Sequence, residues 1–208
     1  MASTLPKTAD PPRRRNAVTT RQAILESARR AFVQAGYDGV GVREIARAAG
    51  VTAMMVNRYF GSKEQLFAEV VTDTMASPTI LTPEILGSPT IGTDFAKALV
   101  GITGAEAGPL DGFLIMLRSA SSRRAAEISR ERIEEGHQKT MTAALSGDLA
   151  PQRAALILAL VAGFQVMRQM IGLSALAQAR PDDLVKILAP VLQQLIETTI
   201  QDVTDENL

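Results

Sequence analysis

Three features of this 208-residue chain predict an all-α protein. Apolar residues recur at helical spacing through most of its length, no stretch alternates with the period of two that marks a strand, and no internal repeat or heptad array appears. Three prolines and two glycines between Ala76 and Gly92 interrupt the helical pattern and divide the chain. The expected fold is an N-terminal three-helix helix-turn-helix domain, residues 19–75, behind a flexible basic arm at 1–18, with a larger C-terminal helical domain at 76–208.

The arm, with Pro6, Pro11, Pro12 and Arg13 to Arg15, lacks apolar periodicity. Thr19 or Thr20 then offers an N-cap for a first helix at about Arg21 to Gln34, which puts Ile24, Leu25, Ala28, Ala31, Phe32 and Ala35 on one stripe and stops at Gly36. Tyr37 is placed to plug the junction with the next helix. The most informative stretch is 40–67, VGVREIARAAGVTAMMVNRYFGSKEQLF. Ala46 is small where two helices would cross, Gly50 suits a turn with positive φ, and Ile45, Ala49, Val51 and Val56 fill the wedge between them. Thr52 N-caps the second of the pair, leaving Ala53, Met54, Met55, Asn57 and Arg58 on a short helix that fits a major groove about 12 Å wide. Double-stranded DNA is therefore the first partner to consider. A fourth helix starts at Ser62 and buries Leu66, Phe67, Val70 and Val71.

In the C-terminal domain, short helices are expected at about 93–102 and 109–120. A longer one at about 123–145 is charged along one face through Arg124, Glu127, Arg130, Glu131, Glu134 and Glu135. Pro151 and Pro181 each suit a helix's first turn, and the helices they open should run to about Leu173 and Val203. The run Ala154 to Phe164 is apolar on nearly every side, so it needs neighbours all round. A four-helix bundle shared by two copies supplies them. The expected dimer interface takes Leu156, Leu160 and Gly163 from this helix and Leu184, Leu188, Val191, Leu192 and Leu195 from the last one.

Composition excludes several classes. Apolar residues make up 46% and charged residues 21% of the chain, as in globular proteins, and with no cysteine there is neither a disulfide nor a thiolate metal site. The N-terminus lacks the apolar segment of a secretory signal, and the run at 154–164 is shorter than the roughly 18 residues of a membrane span. A cytoplasmic location and no membrane partner are expected. A single histidine, no glycine-rich phosphate loop, and an acid pair, Asp182 and Asp183, that complements a helix dipole leave no catalytic or metal centre, and no cofactor is expected. The net charge of zero hides an asymmetry: residues 1–70 carry 11 basic and 6 acidic residues, the remainder 11 and 16. A basic head attracts phosphate, and an acidic body stays off the polyanion.

The residues carry a family resemblance as well. Arg21 through Val70, with GY at 36–37, VREIARAAGV at 42–51, NRYF at 57–60 and SKEQLF at 62–67, resembles the DNA-binding domain of the tetracycline-repressor (TetR) family. FLIMLRSA at 113–120 and the last two apolar helices resemble one group of sensor domains in that family. The resemblance implies a homodimeric transcriptional repressor whose C-terminal ligand-binding and dimerisation domain takes up a small molecule, apolar or amphipathic, and so alters the spacing of two heads on a near-palindromic operator. A ligand-independent architectural DNA-binding dimer is the alternative, since a helix bearing two methionines reads few bases.

In that resemblance Arg43 begins the second helix, where the family commonly places a phosphate or guanine contact, and Lys63 matches its phosphate-contacting lysine. Tyr59 either donates to phosphate or packs as a half-buried ring. Met54 and Met55 offer only dispersion to thymine methyls, which shifts base selection to Asn57, Arg58 and Arg43. Gly41 stands where the family usually has a capping threonine, with Glu44 retained. The sensor-pocket candidates are Phe95, Phe113, Met116, His137, Met141, Phe164, Gln165, Met167 and Arg168. Each apolar member doubles as a core residue, whereas Gln165 and Arg168, polar beside a buried run, need partners. His137, next to Glu134 and Glu135, reads as a surface residue rather than a proton switch.

Overall fold

The structure, a computed structural model, describes residues 12–76, 80–104, 106–107 and 110–197. Among them every regular element is helical, as an all-α fold requires. In chain order they are α1 (Pro12–Ala35), α2 (Val42–Ala48), α3 (Ala53–Phe60), α4 (Lys63–Met75), α5 (Pro83–Leu86), α6 (Ile91–Ile102), α7 (Asp111–Ser119), α8 (Arg123–Ile133), α9 (Lys139–Ala144), α10 (Ala150–Gln165), α11 (Ser174–Ala177) and α12 (Pro181–Glu197). Two five-residue π-helical turns, Glu134–Gln138 and Val166–Met170, follow α8 and α10 without a break.

Helix α1 starts well before the expected Arg21, so residues 12–18 are helix rather than arm, and Thr19 and Thr20 lie inside it rather than capping it. Pro12 suits a first turn because its missing N–H would have no partner there, and lengthening a formed helix adds a bond per residue with no new nucleus. Residues 1–11 lie outside the described residues, as does the stretch from 198 to the expected end of the last helix at Val203. The long surface helix expected at 123–145 is three pieces, because the π turn at Glu134–Gln138 inserts into it.

The chain forms two compact units. One takes the residues up to Val71 together with Ile115–Ile128; the other takes Thr72–Leu114 and Ser129 onward. The first, the head, thus includes a stretch from mid-chain that a linear reading assigns to the body. Its attachment is specific: the backbone N–H of Tyr37 donates to Ser119 Oγ at 2.9 Å, the Arg118 guanidinium donates to the Val33 carbonyl, and both Ser119 and Tyr37 are buried. At the centre of the head, Ile24, Ala28, Phe32, Ile45, Val56, Leu66, Phe67 and Val70 are sealed from solvent.

In the body unit, α6 lies along α12, and Leu99, Phe95, Met141, Ile157, Leu184, Leu188 and Leu192 form one core with α10. Helices α6 and α12 approach so closely at Gly92 that a Cβ there would stand 2.8 Å from the Ala189 carbonyl, and the Gly92 N–H donates to Gln193 Oε1 at 2.8 Å. Leu184, Leu188 and Leu192 are therefore core of their own chain, at 4%, 7% and 0% exposure, and have no surface left for a second copy. With its π turn, α10 runs from Ala150 to Met170, and an 18-residue window within it has a mean hydropathy of 1.4, long and apolar enough by those measures to cross a membrane, which the shorter unbroken run did not suggest. Its two arginines are nevertheless buried and bonded to carbonyls elsewhere in the body.

Gly36 and Gly50 separate two costs that usually come mixed. Both hold nearly the same left-handed conformation, φ +68° and +69°, but a Cβ at Gly36 would lie 2.5 Å from the Arg118 carbonyl oxygen, while at Gly50 it would meet nothing within 4 Å. Gly50→Ala should cost about 1–2 kcal/mol for the backbone alone. Gly36→Ala should cost more by about 1–3 kcal/mol of forced displacement. Equal midpoint shifts in urea for the two variants would refute the close contact.

Candidate DNA-reading surface and effector body

The reading helix is set by its two ends. Gly50 turns the chain out of α2, with its N–H donating to Arg47 O and that of Val51 to Ala46 O at 2.9 Å. Thr52, extended at φ −89°, then opens α3 by accepting from the Met55 N–H through Oγ1 at 3.3 Å. Val56 and Phe60 face inward, at 1% and 5% exposure, and this fixes which side of α3 faces out. On that side Met54 is 80% exposed, Asn57 and Arg58 are exposed, and Ala53 and Met55 are half-buried. Arg43 is exposed on the first turn of α2, which Gly41 caps in extended form with no side-chain bond. Among the described residues the side chains of Arg43, Asn57 and Arg58 have no bonding partner, which leaves their donors to an external one.

Tyr59 is half-buried, between its two expected roles. Lys63 is half-buried too, and its Nζ stands 4.2 Å from the centre of the Tyr37 ring. This cation–ring contact was not legible from the sequence. It aims the ammonium from the first turn of α4, whose N-cap is Ser62, the hydroxyl accepting from the Gln65 N–H at 3.2 Å. Burial, followed by the neighbouring Glu64 carboxylate, pushes the Tyr37 phenol up to about 12, while Ser62 holds Glu64 below its ordinary range. On the other side of α1, Arg21 pairs with Glu69 and lies 4.7 Å from the Phe60 ring centre.

The nine pocket candidates scatter. Phe95 and Met141 are core, at 1% and 0% exposure, whereas Met167 is 48% exposed. Phe113 and Met116 are half-buried on α7 and fall in different units, divided between Leu114 and Ile115. Phe164, Gln165 and Arg168 are buried at the C-terminal end of α10. Gln165, 3% exposed, has no hydrogen-bond partner for its amide among the described residues. Arg168 donates through Nη1 to Val100 O and Thr103 Oγ1, both at 2.8 Å, and lies 5.7 Å from the Phe164 ring centre. Burial lowers its pKa. Arg153, absent from the expected set, is a second buried guanidinium: Nε donates to Asp148 O, Nη1 to Leu195 O and Ile196 O, and Nη2 to Ser146 O. It ties Leu195 and Ile196 of α12 to the loop before α10 through their backbone carbonyls.

Of the residues expected at a dimer interface, Leu156 is 57% and Val191 44% exposed, Gly163 is exposed, and Leu160 and Leu195 are half-buried. Ile187, 67% exposed, joins Val191 on the outer side of α12, one turn away. Inward Leu184, Leu188 and Leu192 share α12 with outward Ile187 and Val191, equally apolar, which hides the choice of face until the packing against α6 is known.

Two family models match the chain. Residues 24–70 match the bacterial regulatory proteins of the tetR family, and residues 90–196 match the tetracyclin repressor-like C-terminal domain. Over 59 residues the chain is 41% identical to the HTH-type transcriptional repressor AcnR of Corynebacterium efficiens, a stretch that spans 28% of this chain and 31% of that protein. Among solved structures, NalD, the secondary repressor of the MexAB-OprM multidrug efflux pump in Pseudomonas aeruginosa, shares the fold with a TM-score of 0.62 at 21% identity, covering 88% of this chain and 98% of its own. The multidrug binding protein EbrR, complexed with proflavin, does so with a TM-score of 0.53 at 20% identity, covering 85% and 99%.

His137 sits in the first π turn, half-buried, and burial alone lowers its pKa. The folded chain therefore resists protonating it, so stability should be full above about pH 6.5 and decline as the pH falls below that value toward the depressed one. As the chain's one histidine, its ring resonances should titrate below 6.5 in the native protein, and His137→Gln should flatten the decline. A native midpoint at or above 6.5 would remove the burial argument.

Proposed function

The chain belongs to the tetracycline-repressor family of bacterial regulatory proteins, and from that membership we propose that it is a homodimeric, cytoplasmic transcriptional repressor that a small molecule releases from its operator. The observation that carries the reading is the outward side of α3, where Met54, Asn57 and Arg58 have no partner among the described residues, on a helix capped at Thr52 and pinned from beneath by Val56 and Phe60. With Arg43 one helix back, this surface offers directed donors to base edges and an apolar contact for thymine methyls. Lys63 and the first turn of α4 supply charge to a phosphate. The repressor names of AcnR and NalD support repression, and EbrR's complex with proflavin supports a small-molecule ligand.

A second copy is proposed on the apolar face that a single chain leaves bare. Leu156, Met167, Ile187 and Val191 are 44–67% exposed on α10, its π turn and α12, and Gly163 among them would meet nothing within 4 Å if it carried a Cβ. That surface suits close helix pairing across a two-fold axis.

On DNA, Arg43→Ala and Arg58→Ala should each weaken binding by about 1–3 kcal/mol and relax selectivity, whereas Lys63→Ala should weaken all sequences alike and lower the salt slope by about one. The operator should be a near-palindrome with half-sites about one helical turn apart. Titrations of genomic and random duplexes at several salt concentrations check this, and three variants with unchanged binding would displace the assigned surface.

Association provides the other test. Ile187→Glu or Val191→Glu should give folded monomers with sharply reduced operator affinity, since two linked heads gain from high effective concentration. Leu188→Glu, placing a charge in the core, should unfold the chain instead. Sedimentation showing a monomeric wild type, or dimers in both surface variants, would reject the interface.

A further inference from the structure

Both buried arginines of the body cap carbonyls, but they do so unequally. Arg153 uses all three of its nitrogens on four backbone carbonyls. Arg168, 7% exposed, uses only Nη1, and no carboxylate pairs with it. The edge formed by Nε and Nη2, the fork that grips a planar carboxylate with two parallel bonds, has no partner among the described residues.

That guanidinium lines a half-open cavity of about 460 Å3 between the end of α6, the π turn after α10, and the segment that leads into α12. The volume falls within the roughly 300–1,000 Å3 of small-molecule sites. Val100, Ala179 and Val185 give it apolar walls. Its other ionisable members are Lys97, which pairs with Asp94 at 3.8 Å, and Asp182, both exposed, so Arg168 is its one cation without an acid beside it among the described residues.

We propose that this cavity binds an amphipathic monocarboxylate, its carboxylate on the Nε–Nη2 edge of Arg168 and its hydrocarbon chain along Val100 and Val185. The desolvation of Arg168 is already met by folding, partly through the carbonyl end of α6, so an incoming anion gains attraction in a low-dielectric site without that cost. Asp182 opposes a second negative charge, which favours a carboxylate over a phosphate dianion. As regulation, the inference rests on the body being the effector-binding unit; as a binding site, it stands on the cavity alone.

Octanoate serves as the probe, titrated calorimetrically into the full-length protein beside 1-octanol, octylamine and octyl phosphate. Octanoate should bind saturably and at least tenfold more tightly than each of the others. Arg168→Met should abolish the preference over octanol, and Arg168→Lys should keep part of it. Should Arg168→Met not fold, Gly101→Met decides, because Gly101 is exposed on α6, lines the cavity and has nothing within 4 Å of an added Cβ, so the new side chain can fill the space. It should weaken octanoate at least tenfold while raising or preserving thermal stability. Equal binding of octanol, tighter binding of octyl phosphate, or unchanged octanoate affinity in Gly101→Met would each overturn the proposal. Operator titration with and without octanoate separates the two readings: tight binding that leaves DNA affinity unchanged retains the carboxylate site and counts against its role as an effector site.

Discussion

Three rings govern the head. Phe32 from α1, Tyr37 from the turn after it and Phe67 from α4 meet with centroids 5.0–6.2 Å apart, two of the pairs edge to face. Aromatic residues are only 4% of the chain, so concentrating three of them at one joint commits much of its large-ring surface to a single place. The joint fixes where α1 ends and where α4 begins, and α2 and α3 are held between those two helices. Tyr37 also receives Lys63 over its face and anchors Ser119 through its backbone. The attitude of the reading helix is thus decided by residues that never face the proposed DNA surface.

The head was legible because its signals are local. Gly50, Thr52 and Ser62 act within a few residues of themselves, and each does in the structure what its type and position imply. The body was legible only in outline. Helix existence followed from periodicity, but which leucines of α12 turn inward depends on contact with α6, which lies about ninety residues earlier in the chain. Both π turns escaped notice, since an inserted residue changes no composition and merely rotates the face that follows it. Arg153 and Lys97 were missed for a related reason: a charged residue in a helix reads as solvated surface until another helix or a cavity wall is brought up to it.

The body answers its buried charge in a consistent way. Each of its two buried guanidiniums bonds carbonyls of a helix, Arg153 those of Leu195 and Ile196 in α12 and Arg168 that of Val100 near the end of α6, where carbonyl oxygens bring negative potential. Neither pairs with an acid. A guanidinium neutralised by dipoles rather than by a carboxylate keeps its full charge available to a newcomer, which an internal ion pair would cancel. Polar burial in this unit therefore fastens helices and, at Arg168, leaves one edge unspent.

The aromatic joint also governs how the molecule can be watched. The chain has no tryptophan, and both tyrosines, Tyr37 and Tyr59, lie in the head. Excited at wavelengths longer than phenylalanine absorbs, it emits from the tyrosines of the head alone, since the body holds phenylalanines but neither tyrosine nor tryptophan. Any event in the body that reaches the head would show as a change in tyrosine emission or near-ultraviolet dichroism with no label attached, and Tyr59→Phe would narrow that signal to the one ring beneath Lys63.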